Sequence, residues 1–507
     1  MLIGGAVLAA VVVIDLIRRR AGAWTTLWSV LVGIPAAVMC WYMSRRVEQV
    51  LAVAPATGRA PAVLAAGIAV LMAAVIAFAT GWVATTEGLL RVRRWLADGL
   101  ARRWLAAGMA AGVAIAGVPA VGLARVSDDA RWVDATTAPA VAVPAVPVRL
   151  GGLRFTIDGS PERPDEFAPP DWVVAAGAGF VVRDAKGVRA YDSNGQQRWH
   201  YLRTGPANVH FLGMGVYDGG RTVVLEYGGN SAVAQRFVAL DALTGEILWQ
   251  KDDVDEKYSL RAPPGIDEPS PYMIVADTAA WVRIDTRTGN RLWRIDLPDG
   301  CATRGAVTAT RVLSVAACAD GDGDDEARIM VASFDAATGE RVFDKEVGRL
   351  RRPEDGGFSW LTTIVRPGND DLVAFSAGTE WQGVNVVTGD VVPIGSGPLS
   401  YLGDPGTELL TRMPYPEKGL EMRSGPDAAV RCRIAGEHRS DRPVAWLGEQ
   451  VVTVRNGIAA YARSDCTPGA RYEDESGRVG VRLAVPAPGV LLAVRVLGDK
   501  TYIDGYA

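Results

Sequence analysis

The sequence predicts two parts of opposite class: an α-helical membrane domain of about four transmembrane helices, followed by an all-β domain of repeated sheets. Three observations carry this reading. Long apolar stretches are confined to the first 125 residues. After residue 150 they give way to short Val-, Ile- and Tyr-bearing runs separated by Gly, Asp, Asn and Pro. Within that second part a turn motif recurs every 38 to 50 residues. A chain of 507 residues has room for both parts. Its net charge of −4 and aromatic content of 7% argue against a nucleic-acid binder and against a disordered acidic tail.

The membrane part rests on length and polarity. Crossing a hydrocarbon core takes about 20 apolar residues in a helix, because every backbone polar group must be satisfied internally. Residues 1–17, 23–43, 61–85 and 104–124 meet that requirement. The first is the shortest and carries Asp15, and Arg18, Arg19 and Arg20 follow it, the reverse of a cleaved signal peptide. The first and third connections hold eight arginines against three in the second, which places them in the cytoplasm. An N-terminus outside the cell membrane and an extracytoplasmic second part follow. Apart from Asp15 the spans contain no ionisable residue, so they read as an anchor and not as a transport path. Gly108, Gly112, Ala116 and Ala120 form a small-residue row at i, i+4 spacing, suited to close helix packing.

Residues 126–149 read as a Pro/Ala-rich linker, with Pro139, Pro144 and Pro147 favouring an extended chain. The β domain, 150–507, is organised by the motif. VALDALTGEILWQ (238–250) recurs as VRIDTRTGNRLWR (282–294) and ASFDAATGERVFD (332–344), with weaker copies at 188–201 and 383–394. Each strong copy reads as a hairpin. Asp241, Asp285 or Asp335 accepts the turn amides, Gly245, Gly289 or Gly339 takes the positive-φ position, and Trp249, Trp293 or Phe343 follows eight residues after the Asp. A large aromatic at a constant place in each repeat can fill the wedge between radially arranged sheets, which makes the domain a β-propeller. Asp192, Asp241, Asp285, Asp335, Asn385, Arg423, Arg463 and Asp504 as phase markers fit eight blades, with seven as the alternative. The last blade would lack a strand, and LGGLRFTI (150–157) is the candidate to complete it and close the ring.

The pattern A-x-D-x-x-T-G-x-x-x-W, present as Ala239, Asp241, Thr244, Gly245 and Trp249, resembles the repeat of quinoprotein-type (PQQ-like) β-propellers. The resemblance covers residues 150–507, and the Arg-rich, Lys-poor composition suits a GC-rich, actinobacterial genome. Some members of the family are dehydrogenases carrying pyrroloquinoline quinone and Ca²⁺. Another is the propeller lipoprotein of outer-membrane barrel assembly, a scaffold. The alcohol-oxidising members use adjacent cysteines beside the quinone, and here no two cysteines are neighbours. No catalytic residue and no cofactor is therefore expected.

Two further clusters bear on chemistry. Cys301, Cys318, Cys432 and Cys466 form an even set that suits an oxidising compartment. Pairing in chain order would close loops of 17 and 34 residues, each worth about 3 to 4 kcal/mol, although four cysteines allow three connectivities. Asp320, Asp322 and Asp324 are the candidate metal ligands. They stand at positions 1, 3 and 5 of a Ca²⁺-loop register in which Asp325 replaces the required Gly and Val331 the required Glu, so the run reads as a solvated hairpin tip.

The function these features predict is an extracytoplasmic binding or scaffold module, anchored in the bilayer and gripping a protein, peptide or envelope ligand. A quinone-dependent dehydrogenase and a ligand sensor are the alternatives.

Overall fold

A computed structural model describes residues 132–158, 173–205, 209–229, 235–253, 269–276, 280–319, 326–351, 372–377, 380–396, 401–402, 408–413, 419–424, 429–436, 444–454, 457–473, 480–497 and 500–507. The chain divides into two compact units, Met1–Asp129 and Ala130–Ala507, and the described residues belong to the second. The four expected spans lie outside them. Among the described residues no helix is long and apolar enough to cross a membrane.

The described strands form eight antiparallel sheets of three to five strands each, most of them simple meanders in chain order. Numbered along the chain, sheet 1 is built on Val173–Ala176 to Gln197–Arg203, sheet 2 on Val209–Tyr217 to Ile247–Asp253 and sheet 3 on Met273–Ala276 to Arg291–Asp296. Sheet 4 runs from Cys301–Val307 to Arg341–Arg351, sheet 5 from Leu372–Ala377 to Val391–Ser396 and sheet 6 from Tyr401–Leu402 to Ala429–Ala435. Sheet 7 spans Ala445–Trp446 to Pro468–Glu473, and sheet 8 spans Gly480–Ala487 to Lys500–Tyr506. The inner strands are apolar on both faces: Val173, Val174, Phe180, Val181, Val223, Val224, Leu491 and Leu492 are all buried. A strand buried on both faces needs a neighbour on each side, which a ring of sheets provides.

The apolar clusters lie at the seams. One joins Val181 and Trp199 of sheet 1 to Val223 and Leu225 of sheet 2, and another joins Phe180 of sheet 1 to Leu492 and Ile503 of sheet 8. First strands of neighbouring sheets also approach one another, Val209–Tyr217 against Val173–Ala176 and the latter against Gly480–Ala487. The sheets are thus arranged as a β-propeller.

The repeated turn is built as its sequence dictates. Asp335 Oδ1 accepts the amides of Ala337 and Thr338, both at 2.9 Å, and Asp241 and Asp285 do the same in their own turns. Gly245 and Gly339 both have φ +76°, which a side chain would strain. The aromatic that follows reaches the next sheet. Trp199, Trp249 and Trp293 donate their indole N–H to the carbonyls of Ala242, Thr286 and Ala336 in the following turn, at 3.0, 2.9 and 3.1 Å. A Cβ added to Gly245, Gly289 or Gly339 would stand 2.8, 2.8 or 2.9 Å from that indole. The aromatic therefore lies on the glycine of the neighbouring repeat. Phe343 meets Gly389 in the same way at 3.1 Å, without the hydrogen bond.

Closure follows the expectation for residues 150–157. Leu153–Asp158 pairs antiparallel with Lys500–Tyr506 as the outer strand of sheet 8. Phe155 on this strand supplies the aromatic for sheet 1, 2.7 Å from where a Gly195 Cβ would stand. Thr156 donates to Asp504 at 2.7 Å, and Arg495 pairs with the same buried carboxylate. Burial, with the charge of Asp504 beside it, pushes the Tyr506 phenol up to about 12.

The Pro/Ala-rich run is extended, as its prolines require, and it is tied to the domain. Val133–Thr136 adds a fifth strand to sheet 1 by pairing with Gln197–Arg203. The amide of Ala138 then donates to the Thr244 carbonyl of sheet 2, the Ala145 carbonyl accepts from Gly489 of sheet 8, and the Val148 carbonyl accepts from Glu449 of sheet 7. Arg198 of sheet 1 donates to the Pro139 carbonyl, so residues 137–149 are a strap over four consecutive sheets, across the closure.

Three markers need correction. Placed two residues past the partner of the seam residue, as Asp241 is past Ala239, the marker of sheet 6 is Ser424 and not Arg423, and that of sheet 8 is Ala507 and not Asp504. In sheet 7 the turn begins at Ala462, not Arg463, because Ala462 and Cys466 make the backbone bonds that Asp241 and Gly245 make in sheet 2. With no Asp at the position, the sequence pattern had nothing to mark it.

Two outcomes follow. Trp293→Ala is expected to cost about 3 to 5 kcal/mol, and Trp293→Phe less, about 1 to 2 kcal/mol, because it keeps an aromatic ring on Gly339 and loses the bond to Ala336 and part of the ring area; thermal denaturation of the two variants checks the order. The amide of Thr338, the largest influence, holds the Asp335 carboxyl below its ordinary 3.8. The stability this contributes is present above that value and is lost as pH falls through the lower folded one. Asp335→Asn keeps the acceptor, as Asn385 does in sheet 5, and should flatten the acid limb of a Tm-against-pH curve below the ordinary 3.8 of the carboxyl.

Candidate binding interface

The repeat residues singled out from the sequence, Asp241, Gly245, Trp249, Asp285, Gly289, Trp293, Asp335, Gly339 and Phe343, are placed at the turns and seams just described. Their polar atoms face turn amides and neighbouring carbonyls. Cys301 pairs with Cys318 across the first two strands of sheet 4, and Cys432 of sheet 6 pairs with Cys466 of sheet 7. Asp320, Asp322 and Asp324 lie outside the described residues. Their flanking strands pair with Ala319 opposite Ala327, so the run connects two strands of a hairpin. Among the described residues no group of three or more His, Cys, Asp and Glu is placed to hold a metal ion. His200 and His210 lie on separate strands, and His200 is held by Asp134 and Thr136 of the added strand at 3.1 Å each.

The feature with the chemistry of an interface is at the other end of the sheets from the strap, at the start of Val209–Tyr217. A β-bulge between Phe211 and Gly213 leaves Leu212 without a partner in the register, and its side chain is 45% exposed. Gly213, with no side chain to pack, permits the irregularity. His210 beside it is exposed. Arg183 of sheet 1 braces the bulge from across the seam: its Nη2 donates to the Leu212 carbonyl at 3.2 Å and its guanidinium lies 5.1 Å from the Phe211 ring centroid.

Beneath this surface is an aromatic floor. Phe211 packs on Tyr227 at 5.3 Å, Tyr227 packs on Tyr201 at 6.3 Å, and Arg203 lies over the Tyr227 ring at 5.8 Å. Tyr227 donates its hydroxyl to the Lys186 carbonyl at 3.2 Å. Burial raises the Tyr227 phenol well above its ordinary value, so it stays a neutral donor. An exposed aliphatic and an aromatic on the bulge, with an arginine braced against it, are residue types found at protein contacts. The sequence offered one local sign, a glycine within a strand pattern; the approach of Arg183 from another sheet left none.

No curated protein sequence matches the chain. Among solved structures it is similar to BamB from Moraxella catarrhalis, at 15% identity over 71% of this chain and 100% of that one, with a TM-score of 0.43. It is also similar to a chain of the mitotic checkpoint complex, at 11% identity over 72% of this chain and 97% of that one, with a TM-score of 0.36. A family model described as outer membrane protein assembly factor BamB matches residues 164–251 and 234–396. The described residues form a β-propeller, and residues 164–396 are similar to the repeats that this model represents.

Proposed function

We propose that the chain is a membrane-anchored, extracytoplasmic propeller of eight blades that binds a protein or peptide partner of the cell envelope and acts as a scaffold. The observation that carries this reading is the bulge at Leu212, an exposed apolar contact braced by Arg183 and Phe211 on a seam that packing makes rigid. The match to a family model described as an assembly factor supports the same class of role. Anchoring through residues 1–125 rests on the four apolar stretches, and the outward orientation on the arginine asymmetry of their connections. Paired cysteines suit the oxidising side of the membrane. The proposal includes neither quinone nor Ca²⁺.

The binding test places a photo-cross-linking residue at Leu212 in intact cells, with a second probe at Val342, 42% exposed on sheet 4, as the control. A specific extracytoplasmic adduct at Leu212 is expected, reduced about tenfold or more by Arg183→Glu. Identical adduct patterns at the two positions would remove the interface. For orientation, alkaline phosphatase fused after Ala507 should be active, and a fluorescent reporter that matures only in the reducing cytoplasm should stay dark.

A further inference from the structure

Six seams can be compared at one register position. Where sheets 1 and 2 meet, Trp199 lies on Gly245; where sheets 2 and 3 meet, Trp249 lies on Gly289. Trp293 on Gly339, Phe343 on Gly389 and Phe155 on Gly195 make the same contact at three more. The aromatic sits opposite the residue two before the turn marker, as Trp249 opposite Ala239 and Trp293 opposite Arg283. In sheet 6 that register position, opposite Met422, is Cys432. The glycine position of the sheet 7 turn, four residues after Ala462, is Cys466. Cys466 has φ +61°, against +66° to +76° for Gly245, Gly289, Gly339 and Gly389. These two cysteines are joined.

We infer that the Cys432–Cys466 disulfide is a redox-set latch between sheets 6 and 7, a covalent bond standing where five other seams have an aromatic ring on a glycine. Elsewhere the seam contact forms with folding and is indifferent to redox state. At the seam between sheets 6 and 7 the thiols by themselves are too small to span the place of an indole, so the contact depends on oxidation. Bond formation is thiol–disulfide exchange with an external disulfide. The Cys432 or Cys466 thiolate attacks it to form a mixed disulfide and release one thiol, and the second cysteine displaces the other thiol. Two electrons pass to the external disulfide, and the protein's two thiol protons end on the released thiols or in solvent. A dithiol reverses the exchange. Cys301–Cys318 is a different device, since it links strands already paired within sheet 4.

The test is hydrogen exchange and thermal denaturation of the full chain in detergent, with and without dithiothreitol. Reduction is expected to speed exchange in 419–424, 429–435 and 457–473 by about tenfold or more and to lower Tm by about 5 °C, with sheets 1 to 3 unchanged. Cys301→Ser with Cys318→Ser should keep this response, and Cys432→Ser with Cys466→Ser should show the reduced behaviour without reductant. Cys432→Trp with Cys466→Gly restores the repeat pattern and should hold the seam in either condition. Unchanged exchange in the named strands on reduction of the wild-type chain would overturn the inference. So would loss of protection spread equally over all sheets.

Discussion

The propeller depends on one contact made again and again: an aromatic ring from the last strand of one sheet, laid on the turn glycine of the next. Each part of that contact has a physical reason. The turn can be tight because its Asp carboxylate collects the free amides. The ring can reach it because glycine has no side chain, and in three copies the indole N–H donates to a turn carbonyl of the next sheet. One contact therefore sets both the spacing and the angle between neighbouring sheets. Apolar clusters then fill the wedge behind it.

A ring of such sheets must still be closed, and the chain closes it with its own early residues. Leu153–Asp158 becomes the outer strand of the last sheet and brings Phe155 to Gly195, so the closing seam has the same chemistry as the others. The buried Asp504, shared by Thr156 and Arg495, ties the two distant parts of the chain with a charged hydrogen bond inside that sheet. The extended strap before it spreads the load over sheets 2, 1, 8 and 7 through backbone bonds, which a Pro/Ala/Val segment can make without long side chains. The closure is thereby held by two parts of the chain far apart in sequence.

Function in this arrangement belongs to what the repeats leave over. Repeating the same geometry at five seams commits the motif residues to structure, and the exposed ends of the sheets become free to vary. The bulge at Leu212 is one such place, and its rigidity comes from the seam beneath it. A scaffold gains from this, because a preorganised contact costs less ordering entropy on binding.

Much of this architecture was legible in the amino-acid order. The Asp-to-aromatic spacing, the turn glycines and the candidate strand at 150–157 are local or periodic signals, and hairpin physics acts on them directly. The even cysteine count pointed to pairing without saying which partners. What only the tertiary structure decided were relations between residues far apart in the chain. These are which sheet each aromatic leans on, the strap bonds from Ala138, Ala145 and Val148, the brace from Arg183 to the Leu212 bulge, and the fact that Cys432 and Cys466 occupy the positions of a Trp and a Gly. A sequence pattern reports what a segment favours by itself; contacts across a seam arise only when two segments are brought together, and there the packing of the ring sets the partner.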